Sequence, residues 1–258
     1  MCKFVKSKKL FLPMKTNTFF KEQALDALRG NWWKAVLLTF VYLLLFTAAQ
    51  GTASYASLQM SGKMTELTGG GTSIYEMASV LQDPEYLALQ RKTNGLTSGS
   101  LLLTVFVIFP LTVGYLNALR RLLVNGDNRL LGNAVEISTT GYFHKLWGVL
   151  LMYILVFLWS LLLIIPGLVK AYSYAMTPFI LEEAPELSAS EAIHRSRMMM
   201  RGHKFDLFWL QLSFVGWFLL CLLTAGIGFL WLMPYYSTAQ AAFYEEVKAD
   251  YALNGGLD

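Results

Sequence analysis

The sequence predicts an all-α fold, a polytopic membrane helix bundle of about six transmembrane helices, with the N- and C-termini in the cytoplasm. Three observations lead to this prediction. Hydrophobic residues make up 55% of the chain and charged residues only 15%, whereas a soluble domain carries about 25% charged residues. The apolar residues fall in long uncharged runs, which is typical of membrane segments. Seven Trp and thirteen Tyr supply the aromatic side chains that gather at membrane–water interfaces.

The first segment, residues 1–31, is predicted to be a basic cytoplasmic tail followed by an amphipathic helix. Residues 1–17 contain lysines and no acidic residue. Residues 18–29 carry apolar side chains at helical spacing, and Gly30 is a suitable stop. The lysines of the tail are Lys3, Lys6, Lys8, Lys9 and Lys15, and the apolar positions of the helix are Phe20, Ala24, Ala27 and Leu28.

The second segment, residues 32–247, is the predicted transmembrane bundle. Its apolar runs are long enough for spans of roughly 20 residues, except for a shorter fourth run that contains Pro178. The predicted spans are 33–52, 97–119, 146–165, 168–181, 205–223 and 229–244.

Polar segments separate these spans. Residues 53–97 are predicted to be an extracytoplasmic insertion, residues 120–145 a basic loop, and residues 248–258 a cytoplasmic tail. Turn signals mark the insertion. They are Gly69-Gly70-Gly71, Asp83-Pro84 and Asn94-Gly95.

The distribution of Lys and Arg predicts the orientation, because cytoplasmic loops carry an excess of both. Residues 1–31 carry seven, residues 120–145 carry four, and residues 182–205 carry four. The longer segment 53–97 carries only three, against four acids, one of them Glu76. An even number of spans places every basic segment inside, which predicts that span 168–181 crosses the membrane.

The spans also suggest three hairpin repeats around an axis along the membrane normal. Each second helix of a hairpin has a proline device nearby, and small residues follow at helical spacing, which lets helices approach closely in lipid. The alternative is coincidence, since Pro and Gly are common in membrane helices. The predicted hairpin breaks are Pro110, Pro166, Gly167 and Pro234, and the small pairs are Gly114/Ala118, Ala171/Ala175 and Thr238/Ala242.

Lys170 is the charge that most suggests a site, because an ionisable residue within a membrane segment is costly and often functional. It lies about one turn after Pro166, on the side of the outer leaflet in the predicted topology. Together with Tyr172 and Tyr174 it is a candidate contact for an anion or a lipid phosphate. The alternative interpretation is that Lys170 snorkels to the interface.

A second candidate is a basic helix that begins at Ser188. Ser188 and Glu191 have the spacing of a capping box. We expect this helix to lie on the inner leaflet, with anionic headgroups on its basic side; the alternative is a purely topological anchor. Glu182, Glu183 and Glu186 are expected to pair with Arg195 or Arg197. The candidate inner-leaflet contacts are Arg195, Arg197, Arg201 and Lys204.

No residue pattern points to an enzyme, a cofactor or a metal. Cys2 and Cys221 form neither a CxxC pair nor a disulfide framework. His144, His194 and His203 lack the spacing of a zinc site. The net charge of +4 is concentrated in short segments, which indicates lipid headgroups and not nucleic acid.

Several motifs resemble a bacterial family of membrane proteins catalogued as domain of unknown function 975. The resemblance covers nearly all of the chain except 53–97. It implies a bacterial plasma-membrane protein and no particular activity. The motifs that carry it are Ala27-Leu28-Arg29-Gly30-Asn31-Trp32, Ile165-Pro166-Gly167-Leu168-Val169-Lys170-Ala171-Tyr172, Ser190-Glu191-Ala192-Ile193 and Met200-Arg201-Gly202-His203-Lys204.

From these observations we expect an integral protein of the bacterial plasma membrane that acts as a non-enzymatic scaffold or accessory protein. The alternative is a small transporter or lipid-handling protein with an anionic ligand near Lys170. The expected partners are the lipid bilayer, anionic phospholipid headgroups and a membrane protein.

Overall fold

The computed structural model describes residues 14–69, 73, 75, 78 and 80–254, without the side chains of 52 and 53. Over these residues the secondary structure is helical and contains no strand, which confirms the all-α class. The predictions that concern Lys3, Lys6, Lys8, Lys9, Gly70, Gly71, Glu76 and residues 255–258 lie outside the described residues.

Twelve helices can be followed in the described part of the chain. In chain order they are α1 (Asn17–Leu28), α2 (Trp32–Thr68), α3 (Pro84–Leu103), α4 (Phe109–Asn125), α5 (Leu130–Thr139), α6 (Tyr142–Leu162), α7 (Ile164–Tyr174), α8 (Thr177–Glu183), α9 (Ala189–Met199), α10 (Lys204–Leu212), α11 (Val215–Leu223) and α12 (Phe229–Leu253).

The chain divides into two compact units. The first contains the residues up to Phe40 and those from Pro110 onward, and the second is Val41–Phe109. The predicted insertion 53–97 falls wholly within the second unit.

Five helical stretches of the described chain are long and apolar enough to cross a membrane. Only 22% of the apolar window is buried in three of them, and the bare surface consists of Leu, Ile, Phe and Trp side chains. Such a surface is typical of a membrane protein. The predicted sixth span lies in α12, which is not among the five. The stretches are Trp32–Thr68, Pro84–Asn125, Tyr142–Leu162, Ile164–Glu183 and Lys204–Leu223.

Helices α2 and α3 extend much further than the predicted spans. Helix α2 continues beyond 52 to Thr68, where Gly69 has a φ of +58°. Helix α3 begins at Pro84, after Asp83 accepts hydrogen bonds from two backbone N–H groups, and it runs through the predicted turn Asn94-Gly95. The turn predicted at Asn94-Gly95 is therefore absent, because polar side chains can end a run of apolar residues without ending the helix.

The prolines predicted as hairpin breaks lie inside helices instead. A π-helical stretch, Thr104–Ile108, joins α3 to α4, so the chain passes through Pro110 without reversing. Pro234 is the sixth residue of α12. A wider π turn accommodates the missing N–H of a proline, which explains the continuity at Pro110.

The turn between α6 and α7 is at Leu163, whose backbone is extended (φ −160°, ψ 143°). Pro166 and Gly167 therefore belong to the first turn of α7 and are not the break. A proline fits there because the first N–H groups of a helix have no partner within it. A Cβ on Gly167 would lie 2.6 Å from the Cα of Ser160, so glycine permits the close approach of the two helices.

The predicted basic loop 120–145 is mostly helical. Helix α4 continues to Asn125, and α5 buries Leu130, Ala134 and Ile137. These positions have the i, i+4, i+7 spacing of a helix face, so the signal was present in the sequence. A Cβ on Gly114 would lie 2.3 Å from the carbonyl oxygen of Ala134, so α4 and α5 touch backbone to backbone.

Helix α1 packs against α12 within the first unit. Phe20 makes an edge contact with Phe243, with 5.6 Å between ring centroids. Lys21 Nζ donates a 2.9 Å hydrogen bond to the carbonyl oxygen of Ser213 and lies 4.6 Å from the ring centroid of Phe214. The predicted helix and its stop are confirmed, since α1 ends at Leu28 and Gly30 has a φ of +75°.

Candidate functional site

The site is organised by α9, and the capping box predicted for this helix is present. The backbone N–H of Ser188 donates to a Glu191 carboxylate oxygen at 2.7 Å, and the Ser188 hydroxyl accepts from the N–H of Glu191. The hydrogen bonds from Ser188 lower the pKa of the Glu191 carboxyl. A fixed start determines which side chains of the helix face inward.

The apolar face of α9 is buried by protein. Ala192, Ile193, Ser196 and Met199 are buried, and the helix packs against α6, α7 and α8. The expectation that this helix lies on the leaflet is therefore wrong for its apolar face, because neighbouring helices already cover it.

Ser196 connects α9 to the break between α7 and α8. Its hydroxyl donates to the carbonyl oxygen of Ser173 at 3.0 Å and accepts from the backbone N–H of Met176 at 3.2 Å. The hydroxyl thereby satisfies two buried backbone groups that the break leaves without helical partners. It fixes α9 to the middle of the stretch Ile164–Glu183.

Four cations gather at this point. Lys204, at the start of α10, is close enough to Lys170, Arg197 and Arg201 for their charges to act on it. Among the described residues, no acidic side chain forms an ion pair with any of the four. The nearest acid along the chain is Asp206, which contacts His203. We call these four residues the basic cluster.

Arg197 contributes a buried polar atom to the basic cluster. Its Nε is buried and has no hydrogen-bond partner in the part of the chain that the structure describes. Buried side-chain donors nearly always have a partner, either in the protein or in something bound to it.

Lys170 lies against aromatic rings. Its Nζ is 4.4 Å from the ring centroid of Trp159 and 6.0 Å from that of Tyr174. These distances are in the range of cation–π contacts. The structure places Lys170 near enough to Lys204 for their charges to interact, so the two residues do not lie at opposite leaflets as predicted. The fold brings together residues that the sequence analysis had assigned to opposite leaflets.

The other predicted contacts are only partly brought together. Tyr174 is buried next to Lys170. Tyr172 is directed to α10, where its hydroxyl donates to Gln211 at 2.9 Å. Arg195 is half-buried on α9, and it is not one of the groups whose charge acts on Lys204.

Glu182 and Glu183, two of the three acidic residues expected beside Arg195 and Arg197, bind other cations. Glu182 contacts Arg121 at 2.8 Å and Lys145 at 2.5 Å. Glu183 contacts Lys248, accepts from the Tyr244 hydroxyl at 2.5 Å, and lies 3.7 Å from Arg120. The predicted pairing was wrong because acids and bases from distant helices meet here.

This second group of charges, which we call the ionic network, was missed by the sequence analysis. Its members come from α4, α6, α8 and α12, and Arg120 also binds Glu245 at 2.6 Å. The sequence did contain a signal for this network: two pairs of adjacent like charges at the ends of apolar runs, Arg120-Arg121 and Glu182-Glu183. The network members are Arg120, Arg121, Lys145, Glu182, Glu183, Glu245 and Lys248.

An apolar cavity of the first unit has a volume of about 510 Å³. Its lining includes Trp217, Leu220, Trp231 and Leu232. Among the described residues, no group of three or more His, Cys, Asp or Glu is placed to hold a metal ion.

Five helical stretches of the described chain are long and apolar enough to span a membrane and have largely bare hydrophobic surfaces, which is consistent with the class of helical membrane proteins. The chain belongs to the family described as protein of unknown function (DUF975), whose model matches residues 14–251. The resemblance predicted from the sequence motifs is thereby confirmed. Searches among curated proteins and among solved structures found no match for this chain.

Proposed function

We propose that this chain is a non-enzymatic accessory protein of the bacterial plasma membrane that binds anionic phospholipid headgroups at the basic cluster. The observation that carries the proposal is the convergence of Lys170, Arg197, Arg201 and Lys204 without an acidic partner among the described residues.

An anionic ligand follows from electrostatics. Like charges held close together repel one another. A phosphate oxygen would relieve this repulsion and accept hydrogen bonds from the guanidinium and ammonium groups. Arginine also suits a phosphate because its planar fork of donors matches the spacing of two oxygens.

A lipid is favoured over a free anion because apolar surface adjoins the cations. Leu168 and Val169, directly before Lys170, are exposed. A lipid whose headgroup is bound at Lys170 would place its acyl chains beside Leu168 and Val169. The acyl chains would then cover apolar surface that is otherwise open to water.

The test uses the double variant Arg197→Gln/Arg201→Gln, with Arg195→Gln as a control. The control removes one positive charge from α9, the helix that carries Arg197, but outside the basic cluster. We expect phosphatidylglycerol to raise the melting temperature of the detergent-purified wild type more than phosphatidylcholine does, because a ligand that binds the folded state stabilises it. The control should keep most of this difference, and the double variant should lose it.

Inorganic phosphate provides the second arm of the experiment. If phosphate alone stabilises as strongly as phosphatidylglycerol, the ligand is a free anion and not a lipid. Equal stabilisation by the two lipids, or an unchanged response in the double variant, would contradict the proposal.

A lipid-handling protein is the second candidate, and the cavity of about 510 Å³ favours it. Aromatic and aliphatic side chains line this cavity, which suits an acyl chain better than a polar solute. Transfer of fluorescent phosphatidylglycerol between vesicle populations would support this candidate. Binding without transfer would support the accessory role.

A further inference from the structure

Two apolar hairpins of the first unit end in tips that contain no charged side chain, and the one polar side chain of the second tip, Thr224, forms hydrogen bonds within the hairpin. The first hairpin joins α6 to α7 at Leu163. The second joins α11 to α12 through residues 224–228. The chain carries no charged residue from 146 to 169 or from 207 to 244. The tips are among the most exposed apolar parts of the chain, with Ile164 84% exposed and Leu223 83% exposed.

We propose that both hairpins are re-entrant: they enter the hydrocarbon of the leaflet that faces the basic cluster and return without crossing the bilayer. Their binding partner is the acyl-chain layer of that leaflet. This proposal does not depend on the headgroup site, since it concerns where the apolar tips lie.

The first argument is the position of α9. Ser196 fixes this basic helix to Ser173 and Met176, which lie midway along the stretch Ile164–Glu183. If the stretch crossed the bilayer, its middle would lie in hydrocarbon, and the arginines of α9 would lie there too. Arginine at that depth is strongly unfavourable. The middle of the stretch is therefore assigned to the headgroup level.

The second hairpin repeats this relation with a different cation. Lys21 of α1 binds the carbonyl oxygen of Ser213, which lies midway along the stretch Lys204–Leu223. Another contact ties the residues just before α1 to a charged part of α12, where Lys15 pairs with Glu246 at 2.8 Å. Ser213 is therefore also assigned to the headgroup level, so only the part beyond it is left to enter hydrocarbon.

The remaining lengths fit one leaflet. Helix α11 has 9 residues, or about 14 Å at 1.5 Å per residue. Helix α7 has 11 residues, or about 16 Å. The hydrocarbon core of a bilayer is about 30 Å thick. Each hairpin therefore reaches about halfway.

The backbone of the second tip is suited to a place without water. All N–H groups from Thr224 to Leu230 donate hydrogen bonds within the hairpin, with Gly228 N–H bound to the Thr224 hydroxyl at 3.0 Å. Hydrocarbon requires backbone groups to be satisfied internally. In the first tip, Pro166 has no N–H to leave without a partner.

The positive-inside pattern is also compatible with this topology. A hairpin that enters and leaves on the same side keeps the segments 120–145 and 182–205 on one side. A crossing of span 168–181 is then unnecessary, so the charge count that predicted it does not distinguish the two arrangements.

The experiment uses single cysteines in a Cys2→Ser/Cys221→Ser background, reconstituted in vesicles and carrying a nitroxide label. Ile164→Cys and Ile227→Cys report the tips, while Phe157→Cys and Trp217→Cys report the arms. The ratio of collisions with oxygen to collisions with a water-soluble nickel complex measures depth. In a re-entrant hairpin the tip is the deepest position, whereas in a crossing hairpin the arm is deepest and the tip approaches the opposite surface.

A second measurement uses a membrane-impermeant maleimide on permeabilised vesicles, so that both aqueous phases are reached. We expect Tyr75→Cys and Ser190→Cys, which are exposed polar-segment controls, to be labelled at least tenfold faster than either tip. Tips that are shallower than the arms, or that react as fast as the controls, would overturn the proposal. Variants are compared only if their melting temperature in detergent matches that of the background protein. We expect matching melting temperatures for the tip variants, because the substituted side chains are exposed.

Discussion

The ionic network and the basic cluster differ in what surrounds their cations. In the ionic network, Lys145 is only 3% exposed, and it contacts both Glu182 and the carbonyl oxygen of Ile137. In the basic cluster, Lys170, Arg197, Arg201 and Lys204 lie together without an acid among the described residues. The fold thus compensates one set of charges with its own acids and leaves the other set open.

The difference assigns different roles to the two regions. A buried cation with carboxylate and carbonyl partners holds helices in place, and its loss is expected to reduce stability. Cations without partners add little to the folded chain alone, so their removal should change binding and leave folding largely intact. Stability and lipid response are therefore separable readouts.

The largest effect is expected from Glu182→Gln. This change leaves the buried Lys145 ammonium without a carboxylate, and breaking such a pair costs about 3–5 kcal/mol. Denaturant titration in detergent measures the free energy of unfolding. Glu136→Gln is the matched control, because Glu136 contacts Arg121 of the same network but is 59% exposed; its cost should stay below about 1 kcal/mol. Equal costs for the two variants would remove the distinction between the regions.

A smaller effect is expected from Ser188→Ala, which removes the cap of α9. Loss of a serine cap costs about 1 kcal/mol. The lowered pKa of Glu191 adds stability above the ordinary carboxyl pKa, and this contribution disappears as the pH falls through the lowered value. Thermal melts of wild type and variant from neutral to acidic pH should therefore converge. Curves that stay parallel would show that the Glu191 pKa does not depend on this cap.

The smallest effect on stability is expected from Lys170→Met. A cation–π contact at an exposed site contributes about 0.5–1 kcal/mol, and methionine retains part of the packing on Trp159. The stabilisation by phosphatidylglycerol should nevertheless decrease, and Lys170→Arg should restore it. If Lys170→Met changes neither the melting temperature nor the amount of co-purified lipid, Lys170 has no role in binding.

The sequence predicts features that depend on neighbouring residues. The capping box of α9, the inward face that contains Ala192, Ile193 and Ser196, and the stop at Gly30 all follow from spacing within a few turns. The family match over residues 14–251 was likewise predicted from short motifs. The six-span count, the hairpin repeats and the orientation of the termini remain predictions.

What the sequence analysis missed depends on contacts between distant parts of the chain. Glu183 and Lys248 are far apart in sequence, and only the packing of α8 near α12 makes them partners. Lys170 and Lys204 were assigned to opposite sides because a full crossing was assumed for the helix of Lys170, whereas the helix break at Ala175–Met176 allows α9 to dock halfway along. Pro110 and Pro234 lie inside helices. A proline in the sequence does not by itself show whether the chain reverses or the helix continues through it.

One hydroxyl group at the seam between α7 and α8 has a consequence for sequence variation. The Ser196 hydroxyl donates a hydrogen bond to the carbonyl oxygen of Ser173 and accepts one from the backbone N–H of Met176. Alanine would fill nearly the same volume yet leave an amide and a carbonyl unmatched in the interior, whereas threonine preserves both interactions. Which substitutions are tolerated at residue 196 should therefore depend on hydrogen-bonding capacity and not on side-chain size. Natural variants are expected to carry a hydroxyl group there.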